Sequence, residues 1–256
     1  MGKTTIAYFS ATGNTLYVAK RVKDAELVSI DAINNGDAVI PEDTDRLGIF
    51  TPVHAFGLPL PVRVFIRKYL ASRNNDNIGY IFHVNTNGGM PTTEPWIMEK
   101  ELQEIGLGLS YTASIKMPDG YLPFLKSSPD VNRTREMKAE AEAKIQRVLE
   151  DIEKEEIELP KRIPFSILMR KLSLKANQIH PVDSKMAITK ECIGCGVCTR
   201  ICPMDNIVIE NGKALYGDRC ISCFACYHRC PTGAITYGKV IGQYQGIVET
   251  KELFKR

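Results

Sequence analysis

Outside residues 192–230 the chain of 256 residues contains no cysteine, and tryptophan occurs once, at Trp96. No apolar run approaches the roughly 20 residues that a membrane-spanning helix requires, so no integral membrane segment is expected. The opening MGKTTIAYF is short, basic and without the apolar core of a secretory leader. A disulfide framework is therefore not expected, and a reducing, cytoplasmic setting is. Charge excess is also missing, since the formal net charge is only +3 and counts every cysteine as neutral. That balance gives no electrostatic footprint for nucleic acid. With 44% hydrophobic and 25% charged residues, the composition is that of an ordinary globular protein.

What the chain does have is concentrated in two copies of one pattern. The first reads CIGCGVCTRICP from Cys192, and the second reads CISCFACYHRCP in the same frame from Cys220, with Ser222 at its third position. Zinc ribbons use paired knuckles and have no need of a third cysteine two residues on, or of a fourth followed by proline. Buried structural thiols would not fall at ligand spacing twice. The pattern resembles that of two-cluster bacterial ferredoxins, in which three thiolates hold one iron–sulfur cube and the fourth ligates the other. The resemblance assigns Cys192, Cys195, Cys198 and Cys230 to cluster I, and Cys220, Cys223, Cys226 and Cys202 to cluster II. Each loaded cube would carry roughly two negative charges, which brings the protein near neutrality. Asn211-Gly212, between the copies, is a two-residue hairpin signal.

The N-terminal part alternates strand and helix signals, with strands predicted over 4–9, 26–30, 47–53, 78–84 and 109–117. Helices are expected to follow, the last covering 132–159 with an apolar stripe through Met137, Ala141, Ile145, Val148, Leu149 and Ile152. The first strand runs into Ser10, Ala11, Thr12, Gly13, Asn14 and Thr15. A small polar loop between strand and helix offers hydroxyls, an amide and backbone N–H groups to a phosphate. It contains no lysine or arginine, and neither a Walker loop nor GxGxxG is present. A plain βα loop capped by threonine would read the same way. Two further loops follow strands 3 and 4: Pro52, Val53, His54, Ala55, Phe56 and Gly57 within 51–59, and Asn85, Thr86, Asn87, Gly88 and Gly89 within 85–91.

The run Ser10–Thr15 resembles the FMN phosphate loop of flavodoxins. With the cysteine module, the chain resembles the flavodoxin-like/ferredoxin fusion proteins of anaerobic bacteria and archaea. The resemblance implies an α/β fold: a doubly wound five-stranded parallel sheet of order 2-1-3-4-5, then a small α+β ferredoxin domain. It implies FMN at the three loops, two [4Fe–4S] clusters, and boundaries at 1–159, 160–185 (a basic amphipathic connector), 186–240 and a tail of unreadable role, 241–256. Trp96 is expected to be a packing anchor, His83 structural, and His228 a residue tuning a cluster.

Two departures bear on function. The loop 85–91 has no aromatic, leaving one flavin face either open to substrate or covered by the ferredoxin domain. Residues 51–62 have no Asp or Glu, while His54 would favour an anionic reduced flavin if protonated. That suits a hub collecting single electrons and delivering pairs to a small-molecule or quinone-like acceptor, with Tyr121 or His54 as proton sources. The alternative is an electron carrier between protein partners, with no substrate of its own. An empty, non-redox scaffold is the remaining expectation.

Overall fold

The computed structural model describes residues 2–89, 93–161, 164, 166–176 and 178–254. Thr4–Tyr8 (β1), Ala25–Ser29 (β2), Arg46–Pro52 (β3), Tyr80–Asn87 (β4) and Tyr111–Lys116 (β5) form one parallel sheet in the order β2-β1-β3-β4-β5. Every residue of β1 is buried, as is expected of a central strand covered on both faces. Alternation then sends neighbours to opposite cores. Ala7, Phe9, Leu47, Ile49 and Ile81 pack under Ile30–Asn35 (α2), Leu60–Val64 (α3) and Glu94–Gln103 (α4). Ile6, Tyr8, Phe50, Phe82 and Val84 pack under Asn14–Ala19 (α1) and Val131–Glu153 (α5). Gly48 has no side chain because the Phe82 ring occupies that space, 2.7 Å from where a Cβ would stand.

The largest departures from the expected boundaries are at the ends of β4 and α5. β4 continues through Asn87, so Asn85, Thr86 and Asn87 are ladder residues paired with β3 and β5. Their polar side chains are satisfied beneath the sheet ends: Asn85 donates to Glu94 and Ser114, and Thr86 meets Thr15. α5 stops at Glu153, where the apolar stripe ends, and Glu155 turns the chain with φ 54°. Glu158 then adds a bridge to the β5 edge beside Tyr111. Met90 and Pro91 of the third loop, and Ile163, Phe165 and Asn177 of the connector, lie outside the described residues.

Within the connector, Ser166–Ala176 (α6) docks on α4. Arg170 reaches Glu101 at 3.0 Å, and Arg67, in the π-helical turn that continues α3, reaches the same carboxylate at 2.6 Å. The C-terminal module pairs Met186–Ile188 (β6) with Ile235–Tyr237 (β9), and Ile207–Glu210 (β7) with Lys213–Tyr216 (β8). The second hairpin turns at Asn211 and Gly212, both with positive φ, as two-residue loops demand. Two short helices, Val197–Ile201 (α7) and Ala225–His228 (α8), complete it. Among the described residues no helix is long and apolar enough to cross a membrane.

Glu101 is fully buried, and burial alone would raise its carboxyl, yet the bonds from Arg67 and Arg170 outweigh this and hold it below its ordinary value of 4.5. A depressed carboxyl contributes its stability above the unfolded value and loses it as pH falls through the folded one. Glu101→Gln should therefore destabilise by about 1–2 kcal/mol at pH 7, given that Arg67 is partly solvated. In urea titrations the gap between parent and variant should close as the pH drops below about 4.5. A gap constant down to pH 3 would contradict this.

Candidate functional site

The carboxyl ends of β1, β3, β4 and β5 open into one cleft, at the switch point where strand order reverses. Its empty space, counted out to open solvent, is about 960 Å³. Ser10, Ala11, Thr12, Asn14, Thr15, Pro52, Val53, His54, Ala55, Phe56, Thr86, Asn87 and Gly88 line it. Gly13, with φ 101°, makes the turn without facing the space, and Gly57, Asn85 and Gly89 likewise lie outside the lining.

The polar loop is partly committed to its own architecture. Ser10 Oγ accepts the Leu16 N–H, and Thr15 Oγ1 lies 2.8 Å from Thr86 Oγ1. Asn14 departs from the expected phosphate donor: its amide nitrogen donates to Pro118 O, and its oxygen accepts the Tyr244 hydroxyl. It is a strut between two loops and the C-terminal tail. The Thr12 hydroxyl makes no hydrogen bond among the described residues and is half-buried at the cleft.

The second loop is a tight turn closed by reciprocal His54–Gly57 backbone bonds of 2.9 and 2.8 Å. Its central residues, Ala55 and Phe56, have φ of 43° and 63°, a left-handed conformation that costs a non-glycine residue about 1–2 kcal/mol. Phe56 is left 37% exposed at the mouth of the cleft. α6 supports this turn from behind, with Ser173 occupying the space where a Gly57 Cβ would project. Burial pushes the His54 imidazole down to about 4, so it is neutral at pH 7. The expected positive charge beside the ring is thus absent, and desolvation against the Phe9 side of the core is the reason.

Residues 117–121 form a fourth wall, with Met117, Pro118, Asp119, Gly120 and Tyr121 all lining the cleft. Asp119 is the one acidic residue in that lining, and burial raises its carboxyl above the ordinary value. The negative charge missing from 51–62 therefore enters from the loop after β5, which the sequence did not single out for charge. Tyr121, whose hydroxyl burial also raises, packs edge-on against Phe224 of the cysteine module.

The fifth wall is Ser222 and Cys223. The module thus covers part of the cleft. Behind it, Cys202, Cys220, Cys223 and Cys226 ring one cavity, and Cys192, Cys195, Cys198 and Cys230 ring another. Among the described residues no three His, Cys, Asp or Glu side chains converge as a single metal ion requires. The thiols surround a space instead of a point, which fits a polynuclear group. Gly194 and Gly196 have φ of 64° and 73°, and their counterparts Ser222 and Phe224 have 51° and 55°. Such left-handed residues turn successive N–H groups toward an anion. The N–H groups of Ala214, Asn206 and Ser222 point at the sulfurs of Cys192, Cys202 and Cys220 within 3.3–3.4 Å. Burial pushes the thiols of Cys198 and Cys226 up to about 11 and about 12, so ionisation requires a cation's charge.

His228 does not face either ring of cysteines, contrary to expectation. Its Nδ1 accepts the Tyr244 N–H and its Nε2 donates to Gly120 O at 2.8 Å, which fixes the neutral tautomer. It clamps the 117–121 wall to the tail. The tail itself is ordered by burial of Tyr244 and Val248 against the polar loop, a role its polar sequence hides.

Fold and site together define a flavodoxin-like doubly wound sheet joined to an iron–sulfur module. Residues 191–235 match the family model of the 4Fe-4S dicluster domain. Among solved structures, a flavoprotein in complex with FMN from Lactobacillus acidophilus NCFM is 20% identical over 44% of this chain and 93% of its own, with a TM-score of 0.34. Two-electron reduced flavodoxin from Megasphaera elsdenii is 18% identical over 54% of this chain and 99% of its own, with a TM-score of 0.33. Rubredoxin oxygen:oxidoreductase from the anaerobe Desulfovibrio gigas is 16% identical over 59% of this chain, which spans only 36% of that protein, with a TM-score of 0.36. Comparison with curated protein sequences returns no match.

The Asn14–Tyr244 bond is buried at both ends, so Tyr244→Phe should leave an acceptor unsatisfied. The expected loss is about 1–3 kcal/mol of unfolding free energy, measured by chemical denaturation. A change under about 0.5 kcal/mol would show that the strut contributes nothing.

Proposed function

We propose that the chain is an iron–sulfur flavoprotein that passes electrons between two [4Fe–4S] clusters and FMN. The clusters are held by Cys192, Cys195, Cys198 and Cys230, and by Cys220, Cys223, Cys226 and Cys202. FMN occupies the cleft between Ser10–Thr15, the His54–Gly57 turn and the end of β4. The observation carrying this reading is that Cys223 belongs to two walls at once. It rings the second cysteine cavity and lines the flavin cleft. A cluster there and a flavin in the cleft would be separated by little more than one residue.

Bound FMN would supply a centre able to accept electrons singly and give them up in pairs. The protein's own part is positional. Thr12 and the loop backbone receive the phosphate, Phe56 offers a ring at the mouth, and Ser222 and Cys223 close the face that residues 85–89 leave bare. Tyr121 and Asp119 are the protic groups within reach of a reacting molecule, and the neutral His54 is a further acceptor. These groups favour reduction of a small-molecule or quinone-like acceptor in a cytoplasmic, anaerobic metabolism over service as a carrier between protein partners. Tyr121 and Asp119 support this choice as proton donors lining the cleft, where reduction of a bound molecule would need protons.

Purified anaerobically, the protein should hold one FMN and about eight irons. Cys202→Ala should then alter the same magnetic signal as Cys220→Ala, although its sequence run is that of Cys192. A change matching Cys192→Ala would refute the crossed ligation, and an iron-loaded protein with no flavin would refute the flavoprotein.

Asp119→Asn tests the electrostatics. An ionised carboxylate in the cleft opposes a second negative charge, so its removal should make full reduction easier by roughly 20–60 mV. Asp119 is protonated more readily than a free carboxylate, so the difference should be largest near pH 8 and shrink toward pH 5. Spectroelectrochemical titration of both proteins measures it, and an equal potential at pH 8 would place the charge out of range.

A further inference from the structure

Arg229 is a buried cation for which the structure shows no anion. It is 7% exposed, no carboxylate of the described residues lies within ion-pair distance of it, and its Nε has no hydrogen-bond partner. Its other nitrogens are spent on neutral oxygens. One terminal nitrogen donates to Gln245 O at 2.8 Å and Val248 O at 3.1 Å, and the other donates to Thr12 O at 2.6 Å. Burial lowers its pKa, and Tyr244 and Glu249 counter this through space without ion-pair contact. A guanidinium taken out of water against dipoles alone is costly, typically by several kcal/mol, unless a counter-charge arrives.

Two kinds of counter-charge are expected near it: the clusters whose ligands flank it in the chain and, across a single layer of backbone on the side to which the guanidinium is turned, the phosphate of a flavin. Thr12, whose carbonyl Arg229 holds, belongs to the loop that lacks any basic residue of its own. The approach is close: a Cβ on Gly246 would overlap the guanidinium, and one on Gly13 would stand 3.1 Å from it, behind a closer contact with Val248 at 2.4 Å. Both glycines have positive φ, so loop and tail are both shaped to admit this side chain. Arg229 itself sits between Cys226 and Cys230, one in each ring of cysteines.

We propose that Arg229 is the counter-charge for the flavin phosphate, delivered to the phosphate loop from the iron–sulfur module, so that flavin affinity depends on a loaded module. The proposal rests on the FMN reading above. Arg229 is a positioning residue: it fixes the Thr12 carbonyl and holds the positive potential behind the loop, while Thr12 and the loop N–H groups face the ligand. Its side chain is seated by Thr12, Gln245 and Val248, but its backbone runs directly into Cys230, and because metal binding and module folding are linked, loss of iron would loosen it. The sequence order explains why the loop can lack lysine and arginine. Its charge comes from more than two hundred residues away.

The test uses the anaerobically purified, iron-loaded protein, its flavin removed and then titrated with FMN or riboflavin. Arg229→Gln should weaken FMN roughly tenfold or more while riboflavin stays within about threefold. Arg229→Lys, which keeps the charge and loses the fork, should recover most of the FMN affinity. Equal losses for both flavins, or no rescue by lysine, would make Arg229 a strut and overturn the proposal. Should either variant fail to retain iron, phosphorus NMR of FMN bound to the parent decides. A neighbouring cation keeps the phosphate doubly ionised well below its ordinary second pKa near 6, and an unshifted titration overturns the proposal. A parent that binds neither flavin would instead defeat the flavoprotein reading, and one that binds both equally would overturn the phosphate assignment.

Discussion

The structure depends on a buried polar joint between its two halves. His228 and Arg229, adjacent in α8 and its cap, between them hold Gly120 O, the Tyr244 N–H, Thr12 O and the carbonyls of Gln245 and Val248. Both side chains are over nine-tenths buried, so each bond is made where water cannot replace it. Tyr244 extends the joint to Asn14, and Asn14 extends it to Pro118. One chain of hydrogen bonds thereby ties the cysteine module, the tail, the polar loop and the loop after β5. An apolar interface would tolerate sliding. This one has a single register, because a shift of one residue would strand several buried donors.

That registration is what puts Cys223 on the wall of the cleft. It also shapes the electrostatics there. The cleft has no basic side chain in its lining, His54 is neutral, and Asp119 is the one carboxylate. Positive potential comes from behind the polar loop and negative charge from the opposite wall. A bound anion is therefore favoured at one end of the cleft, and additional electrons are resisted at the other.

The fold was largely legible because its signal is local. Strand periodicity, the small loop after β1 and the duplicated cysteine run all report on residues within a few positions of one another. Strand order came from the resemblance to flavodoxins, and the sheet has that order. What stayed hidden is long-range. The tail 241–254 reads as polar, yet Tyr244 is fully buried, because its hydroxyl has a partner 230 residues away. Asn85–Asn87 read as a loop because their polarity is paid by Glu94, Ser114 and Thr15, which lie on other elements. His54 offered a charge only if protonated, and it is the packing of the turn, by burying the imidazole, that lowers its pKa to about 4. Asp119 was passed over because nothing in MPDGY says which way the carboxylate faces.

The two cysteine copies show how a departure from a pattern can be informative once the structure is known. At matching positions the first copy has Gly194 and Gly196, and the second has Ser222 and Phe224, all four in left-handed conformations. In the first copy Gly194 is obligatory, since a Cβ would lie 2.4 Å from the Gly212 carbonyl of the hairpin. The second copy is bridged at Cys220 by His180, whose ring nitrogen lies 3.3 Å from Ser222 Oγ. It faces the cleft, and the space is filled by side chains. A non-glycine residue there costs about 1–2 kcal/mol, but burying a phenylalanine returns about 1.5–3 kcal/mol. Phe224 is 4% exposed, edge-on to Tyr121 at 5.6 Å and Tyr237 at 5.2 Å. The strain is thus offset by the contact that seats the module on the wall of the cleft. The copy that gave up its glycines is the copy turned inward, and this asymmetry selects which set of cysteines stands beside the candidate flavin site.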